Sequence, residues 1–239
     1  TAREDLAGAG IQTAALGFGG DAGPSAPVTA ITESYNGTNW TEVNDLNLAR
    51  DRLAGVGATN TASLAFGGEG PDYKAETELW NGTNWTEVND LNTARVLMGA
   101  AGTSTSALAF GGFFPVKNET ESWNGTNWTE VNNLNTARYL LAGSGSTNTA
   151  ALAFGGFDPA TSGETAKTES WNGTNWTEVA DLNTARHSLA GAGTSTSALA
   201  FGGDISPLQQ TESWNGTNWT ETSDLNTGRE SLAGAGVNN

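Results

Sequence analysis

The chain is poor in the residues that most often carry catalysis and metal binding: it has no cysteine and a single histidine. Without cysteine there are no disulfides, no thiolate metal sites and no cysteine nucleophile. With only His187, a metal centre built from several histidines is excluded, and serine–histidine–carboxylate chemistry would depend on this one residue. We therefore expect no enzymatic activity and no cofactor, and we interpret His187 as a solvated loop residue.

Basic residues are also scarce. Lysine and arginine total 10 against 26 aspartates and glutamates, a net charge of −16 that argues against nucleic acid and anionic membranes as partners. No apolar run approaches the ~20 residues of a membrane-spanning helix, and no N-terminal segment has the pattern of a signal peptide. Because Thr1 is not an initiator residue, we expect a fragment, a processed product or an engineered chain.

Repetition is what the chain has in abundance. The segment WNGTNWTEVNDLNTAR recurs five times, with small changes, every 43 to 48 residues. Its second tryptophan is Trp40, Trp85, Trp128, Trp176 and Trp219, and a double glycine precedes each copy at 19–20, 67–68, 111–112, 155–156 and 202–203. Near-identical units of this length indicate one supersecondary element repeated in space, because one unit cannot bury its own apolar face.

Each repeat predicts four short strands. In the unit that begins at Arg186 these are 189–193, 198–201, 211–214 and 218–222. The first is built of small residues, which suits packing near an axis, and the second alternates Leu and Phe with Ala, as a half-buried strand does. Glycine pairs and Asn-Gly steps supply the turns. The pattern predicts an all-β, five-bladed propeller with four antiparallel strands per blade.

We assign the whole chain, 1–239, to one domain, with repeats at about 3–49, 50–94, 95–137, 138–185 and 186–228 and a terminal strand at 229–239. The first-strand sequence occurs six times, so one terminal copy is redundant. Either Leu6–Gly10 or Leu232–Gly236 completes the first blade, and we favour the C-terminal copy as the strand that closes the ring. A spare strand can also cross to a second chain, so we expect a monomer or a strand-exchanged dimer.

The double glycine, the aromatic residue, the tryptophan five residues later and the arginine ten residues after that resemble the kelch repeat, and the resemblance covers the whole chain. Kelch rings usually have six or seven blades and a tyrosine in the third strand. Here only Tyr35 keeps that tyrosine, and tryptophan replaces it at 80, 123, 171 and 214. The near-identical repeats are also similar to tandem arrays in phage and bacterial surface or tail proteins. This second resemblance implies an extracellular or virion-surface location.

The repeats differ from one another in two places. One is the loop after each double glycine, at 21–31, 69–76, 113–119, 157–167 and 204–210; the other is the pair of residues after each repeat arginine. Because successive strands alternate in direction, both sets should lie on the same face. All ten basic residues fall on this face, together with several aromatic residues outside the repeat framework. Loops on a rigid scaffold are a common place for binding.

We therefore predict a binding face for a protein or carbohydrate ligand, formed by Arg50, Arg52, Arg95, Arg138, Arg186, Tyr73, Phe113, Phe114, Tyr139, Phe157 and His187. The kelch resemblance implies that the repeat arginines border the ligand. They could instead form structural ion pairs with Asp45, Asp90, Asp181 and Asp224, in which case Arg138, beside Asn133, would be the least paired.

Two further alternatives stay open. The propeller could be a structural or assembly unit without a specific ligand. The oxygen-rich Asn-Asp-Leu-Asn loops could hold Ca²⁺. The framework tryptophans and the second-strand residues Leu64, Phe66, Leu108, Phe110, Leu152 and Phe154 are predicted to form the core between blades.

Overall fold

The computed structural model describes residues 1–23, 27–161, 163–204, 206 and 209–236. Parts of three variable loops (21–31, 157–167 and 204–210) and the end of the terminal segment 229–239 lie outside the described residues. In the part that is described, the secondary structure is entirely β, in five four-stranded antiparallel sheets and one additional two-stranded pair. No helix among these residues has the length and apolarity needed to cross a bilayer.

Each sheet is one blade of a propeller. Blade 1 contains β1 (Ala7–Ile11), β2 (Ala14–Phe18), β3 (Thr32–Tyr35) and β4 (Trp40–Val43). Blade 2 contains β5 (Ala54–Thr59), β6 (Ala62–Phe66), β7 (Thr77–Trp80) and β8 (Trp85–Val88). Blade 3 contains β9 (Gly99–Thr103), β10 (Ser106–Phe110), β11 (Thr120–Trp123) and β12 (Trp128–Val131).

Blade 4 contains β13 (Ala142–Thr147), β14 (Ala150–Phe154), β17 (Thr168–Trp171) and β18 (Trp176–Glu178), and its variable loop carries the small pair β15 (Phe157–Asp158) and β16 (Gly163–Glu164). Blade 5 contains β19 (Ala190–Gly193), β20 (Ala198–Phe201), β21 (Thr211–Trp214) and β22 (Trp219–Glu221). The first strand of every blade lines the central channel, to which these strands contribute Gly, Ala, Val and Ser residues. The predicted five-bladed fold is confirmed.

The double glycines join each blade to the next one. Gly67 and Gly68 have φ angles of +65° and +107°, which glycine adopts without strain. A Cβ on Gly67 would lie 2.7 Å from the carbonyl oxygen of Arg95, and the Gly68 amide donates to that same oxygen at 3.0 Å. The turn therefore holds the start of the next blade and brings the variable loop beside the repeat arginine.

Blades pack on one another through a phenylalanine and a tryptophan. The second-strand phenylalanine of one blade meets the fourth-strand tryptophan of the next in edge-to-face contacts 4.8–5.0 Å between ring centroids. The pairs are Phe18–Trp85, Phe66–Trp128, Phe110–Trp176 and Phe154–Trp219. Together with the buried second-strand leucines they form the predicted core between blades. Trp40 is the exception, with 53% of its surface exposed.

The N-terminal copy of the first-strand sequence forms β1, paired along its length with β2. Our preference for the C-terminal copy as the strand of blade 1 was therefore wrong. Residues 232–236 are the redundant copy and belong to none of the described sheets. They lie beside the axis between blades 5 and 1: a Cβ on Gly8 would meet the Ala233 methyl at 3.0 Å, and Gly236 accepts a hydrogen bond from the Gly193 amide at 3.0 Å.

Candidate ligand-binding face

The two variable sets of residues are the loops after the double glycines and the pairs after the repeat arginines. They meet on one face, which we call the variable face. Isolated antiparallel bridges join the two sets directly, at Glu4–Asp21, Asp51–Glu69, Val96–Phe113 and Tyr139–Phe157. In blade 5 the Asp204 amide donates to the His187 carbonyl at 3.1 Å. The prediction that both sets share a face is thus confirmed.

The non-framework aromatic residues form a continuous arc across this face. Its contacts, in order, are Tyr73–Phe114 (4.2 Å, stacked), Phe114–Phe113 (6.4 Å), Phe113–Tyr139 (5.1 Å), Tyr139–Phe157 (5.5 Å) and Phe157–His187 (5.6 Å). All distances are between ring centroids. Residues from blades 2 to 5 thereby make one surface feature, which we call the aromatic arc.

Phe114 is the most accessible ring of the aromatic arc. Its surface is 55% exposed, whereas the other members are half-buried. Its φ angle is +90°, a conformation that a bulky residue rarely adopts and that tends to occur at functional positions. An exposed aromatic ring stacked on a second ring is suited to contact with an apolar or cationic group of a partner.

The repeat arginines do not reach the variable face. Arg50, Arg95, Arg138 and Arg186 are at most 1% exposed, so they are not available to a surface ligand as our prediction required. Each forms an ion pair with the third-strand glutamate that follows it, Arg50–Glu78, Arg95–Glu121, Arg138–Glu169 and Arg186–Glu212, at 2.6–3.2 Å. Burial lowers the pKa of all four guanidinium groups, and the paired carboxylates oppose that shift.

The structure shows the alternative in which these arginines form structural ion pairs, but their partners are the third-strand glutamates. We expected the loop aspartates, but Asp45, Asp90, Asp181 and Asp224 each accept a hydrogen bond from the backbone amide that opens a third strand, at 3.0–3.2 Å. Asn133 does the same for Thr120 at 3.2 Å. The carboxylates proposed as Ca²⁺ ligands therefore serve as caps of the third strands.

An acidic cluster lies next to the aromatic arc, on blades 1 and 2. Arg52 is 42% exposed and bridges Asp5 at 3.3 Å and Glu69 at 2.7 Å. Asp51 is buried beside them, and burial raises its pKa to about 6, helped by Glu69, Asp5 and Asp21 and opposed by Arg52. The sequence analysis did not identify Asp51 as a site residue, because the identity of a residue does not show whether it is buried.

The other end of the aromatic arc carries a group of possible metal ligands. Nε2 of His187 lies 2.9 Å from Asp204 Oδ2 and 3.9 Å from Glu164 Oε1, and one ligand atom from each of the three residues falls within 4.8 Å of the others. Imidazole with two carboxylates suits a divalent transition metal better than Ca²⁺. Glu164 and Asp204 were not predicted as site residues, although both lie in variable loops.

On the opposite face, the Asn-Gly turns of the five blades are alike and, among the described residues, carry no charged side chain. These turns are closed by an asparagine side chain: Asn124 Oδ1 accepts from the amides of Thr126 and Asn127, each at 2.9 Å, and the other four blades repeat this geometry. In each of these turns, the asparagine side-chain oxygen and two backbone amides are therefore already hydrogen-bonded to one another.

Comparison with known proteins adds no relative: no protein-family model matches the chain, and no curated protein is significantly similar to it.

Proposed function

We propose that the protein is a non-catalytic recognition module and that its variable face binds a protein partner. The observation that carries the proposal is the aromatic arc, six rings in consecutive contact contributed by four blades. Aromatic side chains are over-represented among the residues that dominate binding energy at interfaces.

The chemistry of the aromatic arc favours a protein over a glycan. Three of its rings, Phe113, Phe114 and Phe157, are phenylalanines and offer no hydroxyl or indole N–H to a sugar. Beside them, Arg52 already pairs with Asp5 and Glu69, so the preference for a partner with basic residues comes from the chain's net charge of −16, which would also speed the approach of that partner. A partner segment with apolar anchors flanked by lysine or arginine fits both halves of the face.

The buried arginines favour the second candidate, a structural propeller without a specific ligand. Their ion pairs with the third-strand glutamates serve the fold, so they give no direct support to binding. The two candidates make different predictions for variants of the aromatic arc.

The test is a comparison of three variants on peptide, protein and glycan arrays. Tyr73→Ser/Phe114→Ser removes the exposed, stacked end of the aromatic arc. Trp40→Ala removes an equally exposed aromatic ring that lies outside the arc, and Thr126→Ala alters a turn on the opposite face. Binding to basic, apolar peptides or proteins should fall at least about tenfold in the first variant only.

Three results would reject the proposal. Loss of binding in Thr126→Ala but not in the double variant would place the site on the opposite face. Retention of glycan binding without any protein binding would reject the choice of partner. No binding by the wild type to any array would favour the structural candidate.

A further inference from the structure

Four junctions between blades share one set of contacts. Between blades 2 and 3, Phe66 meets Trp128, and Trp128 Nε1 donates to Thr77 Oγ1 at 3.1 Å. Asn92 donates to Glu121 Oε2 through its backbone amide and its side chain, both at 2.7 Å. The junctions of blades 1–2, 3–4 and 4–5 repeat each of these contacts. Each blade therefore presents Phe, Thr and Asn on one side, and receives them with Trp and Glu on the other.

The described residues of blade 5 and blade 1 do not form these contacts with each other. Trp40, which should receive Phe201, is 53% exposed, whereas the four equivalent tryptophans are 5–6% exposed. Arg229 is exposed, although its four internal counterparts are buried. Leu225 is half-buried, whereas Leu46, Leu91, Leu134 and Leu182 are 2–4% exposed.

A cleft of about 790 Å³ separates the two blades, lined by Trp40, Phe201, Leu225, Asn226 and Arg229 among others, and a second of about 450 Å³ adjoins it. Glu33 keeps the ion pair that its counterparts make, here with Arg3 at 2.6 Å, but it is bonded to the Thr1 amine at 2.9 Å where its counterparts accept from an asparagine. The groups that join blades elsewhere thus line an open space.

The redundant segment 229–236 already occupies the innermost place of this gap. The Gly203 amide donates to the Arg229 carbonyl at 3.0 Å, as Gly156 does to Arg186, also at 3.0 Å. The Ser231 amide donates to the Ser188 carbonyl at 3.0 Å, continuing a chain of such bonds that runs from blade to blade. The central channel is therefore lined by six equivalent segments, of which five carry a blade outside them.

We propose that the cleft between blades 5 and 1 is a docking site for the three outer strands of one further repeat of this same type. Residues 229–236 would supply the inner strand. The incoming repeat would bring a tryptophan for Phe201 and Thr211, and a glutamate for Asn226 and Arg229. It would also present a phenylalanine and a threonine to Trp40. This inference does not depend on the proposed function of the variable face.

The experiment extends the chain with a copy of residues 194–228 placed after residue 236. N-bromosuccinimide oxidation of Trp40, mapped by mass spectrometry, reports whether the cleft is filled, and the buried Trp128 serves as the internal reference. The control extension carries the substitution equivalent to Trp219→Ala, which removes the ring that should meet Phe201. The same peptide, residues 194–228, is also added in trans to the unextended chain.

If the inference is correct, the extension slows oxidation of Trp40 by about tenfold or more, because the ring becomes buried. The control extension should protect it less, and the peptide in trans should protect it in a concentration-dependent manner. Trp40 that remains as reactive in the extended chain as in the original would overturn the proposal. So would a dimer of the unextended chain in sedimentation velocity with Trp40 protected, since a second whole copy would then be the occupant.

Discussion

Trp128 and Trp40 occupy the same position in the repeat, so their replacement by alanine isolates the contribution of the contacts between blades. Each has one aromatic neighbour in its own blade at a similar distance: Trp123–Trp128 at 5.4 Å and Tyr35–Trp40 at 5.2 Å. They differ in the contacts that they make with the preceding blade. Trp128 also packs against Phe66 and donates to the Thr77 hydroxyl at 3.1 Å, and it is 6% exposed against 53% for Trp40.

The expected cost follows from the area that each ring buries. A tryptophan buries up to roughly 250 Å², and at about 25 cal/mol per Å² its complete burial contributes about 4–6 kcal/mol. Trp128→Ala should therefore lower the free energy of unfolding by about 3–5 kcal/mol, which includes the cavity and the Thr77 hydroxyl that loses its donor. Trp40→Ala removes about half as much buried area and leaves no buried cavity, so about 2–3 kcal/mol is expected.

Differential scanning calorimetry and urea unfolding measure the difference. For a chain of this length 1 kcal/mol corresponds to about 2–4 °C in Tm, so Trp128→Ala should melt roughly 3–6 °C below Trp40→Ala. Equal losses in the two variants would refute the assignment of the contacts between blades as the main source of stability. A larger loss in Trp40→Ala would also refute the open junction between blades 5 and 1.

Two further predictions concern buried charges. Because the pKa of Asp51 is raised from 3.8 to about 6, the folded protein holds this proton more tightly than the unfolded chain, and the stability that the protonated group contributes is lost as pH rises from about 4 to 6. Asp51→Asn should therefore gain up to about 3 kcal/mol relative to wild type at pH 7 and have a flatter pH profile; superimposable profiles in urea unfolding would contradict this. Arg95→Met should cost about 3–5 kcal/mol, since it leaves Glu121 buried without its cation. Adding Glu121→Gln should restore at least half of that loss in the same assay, and no recovery would contradict the pairing.

Much of the fold could be predicted because the same turn residues and the same pattern of apolar residues occur in all five repeats. The double glycines and Asn-Gly steps mark turns that few other residues allow, and the alternation of Leu and Phe with Ala marks the buried face of the second strand. The variable residues were also correctly brought together, because alternating strand direction fixes the end of the blade at which each loop emerges. Turn positions, the buried face of a strand and the direction of successive strands all depend on residues that are close in sequence. A sequence pattern can therefore predict them.

The repeat arginines could not be placed in the same way. Arg95 lies close in sequence to Asp90, but its partner is Glu121, in the third strand of its own blade. Whether a repeat arginine is buried or exposed depends on how deep it lies between two blades. The spacing of residues along the sequence does not give that depth. A usable signal was present: a glutamate recurs in the third strand of every repeat, as regularly as the arginine itself.

Trp40 shows a second limit. It has the same sequence context as Trp85 and Trp128, but its environment depends on what precedes the repeat rather than on the repeat. Counting gave the only hint, because the first-strand sequence occurs six times and the other strands five times. That count showed that one copy was redundant. It did not show that the copy lines the channel at a sixth position and leaves an open cleft outside it.

The aromatic arc connects blades 2 to 5 at the surface, but it is not part of the set of contacts that recurs at every closed junction between blades. The contacts that recur between blades at every closed junction are the Phe–Trp ring contacts and the hydrogen bonds from asparagine to glutamate. Phe113 and Phe157 directly follow a double glycine, and the same position is occupied by Asp21, Glu69 and Asp204 in the other three blades. Since acidic residues satisfy this position as well, the fold does not require an aromatic ring there. Six rings are in consecutive contact, two of them at a position that tolerates carboxylates, and Phe114 is 55% exposed; this arrangement supports the proposed recognition of a partner.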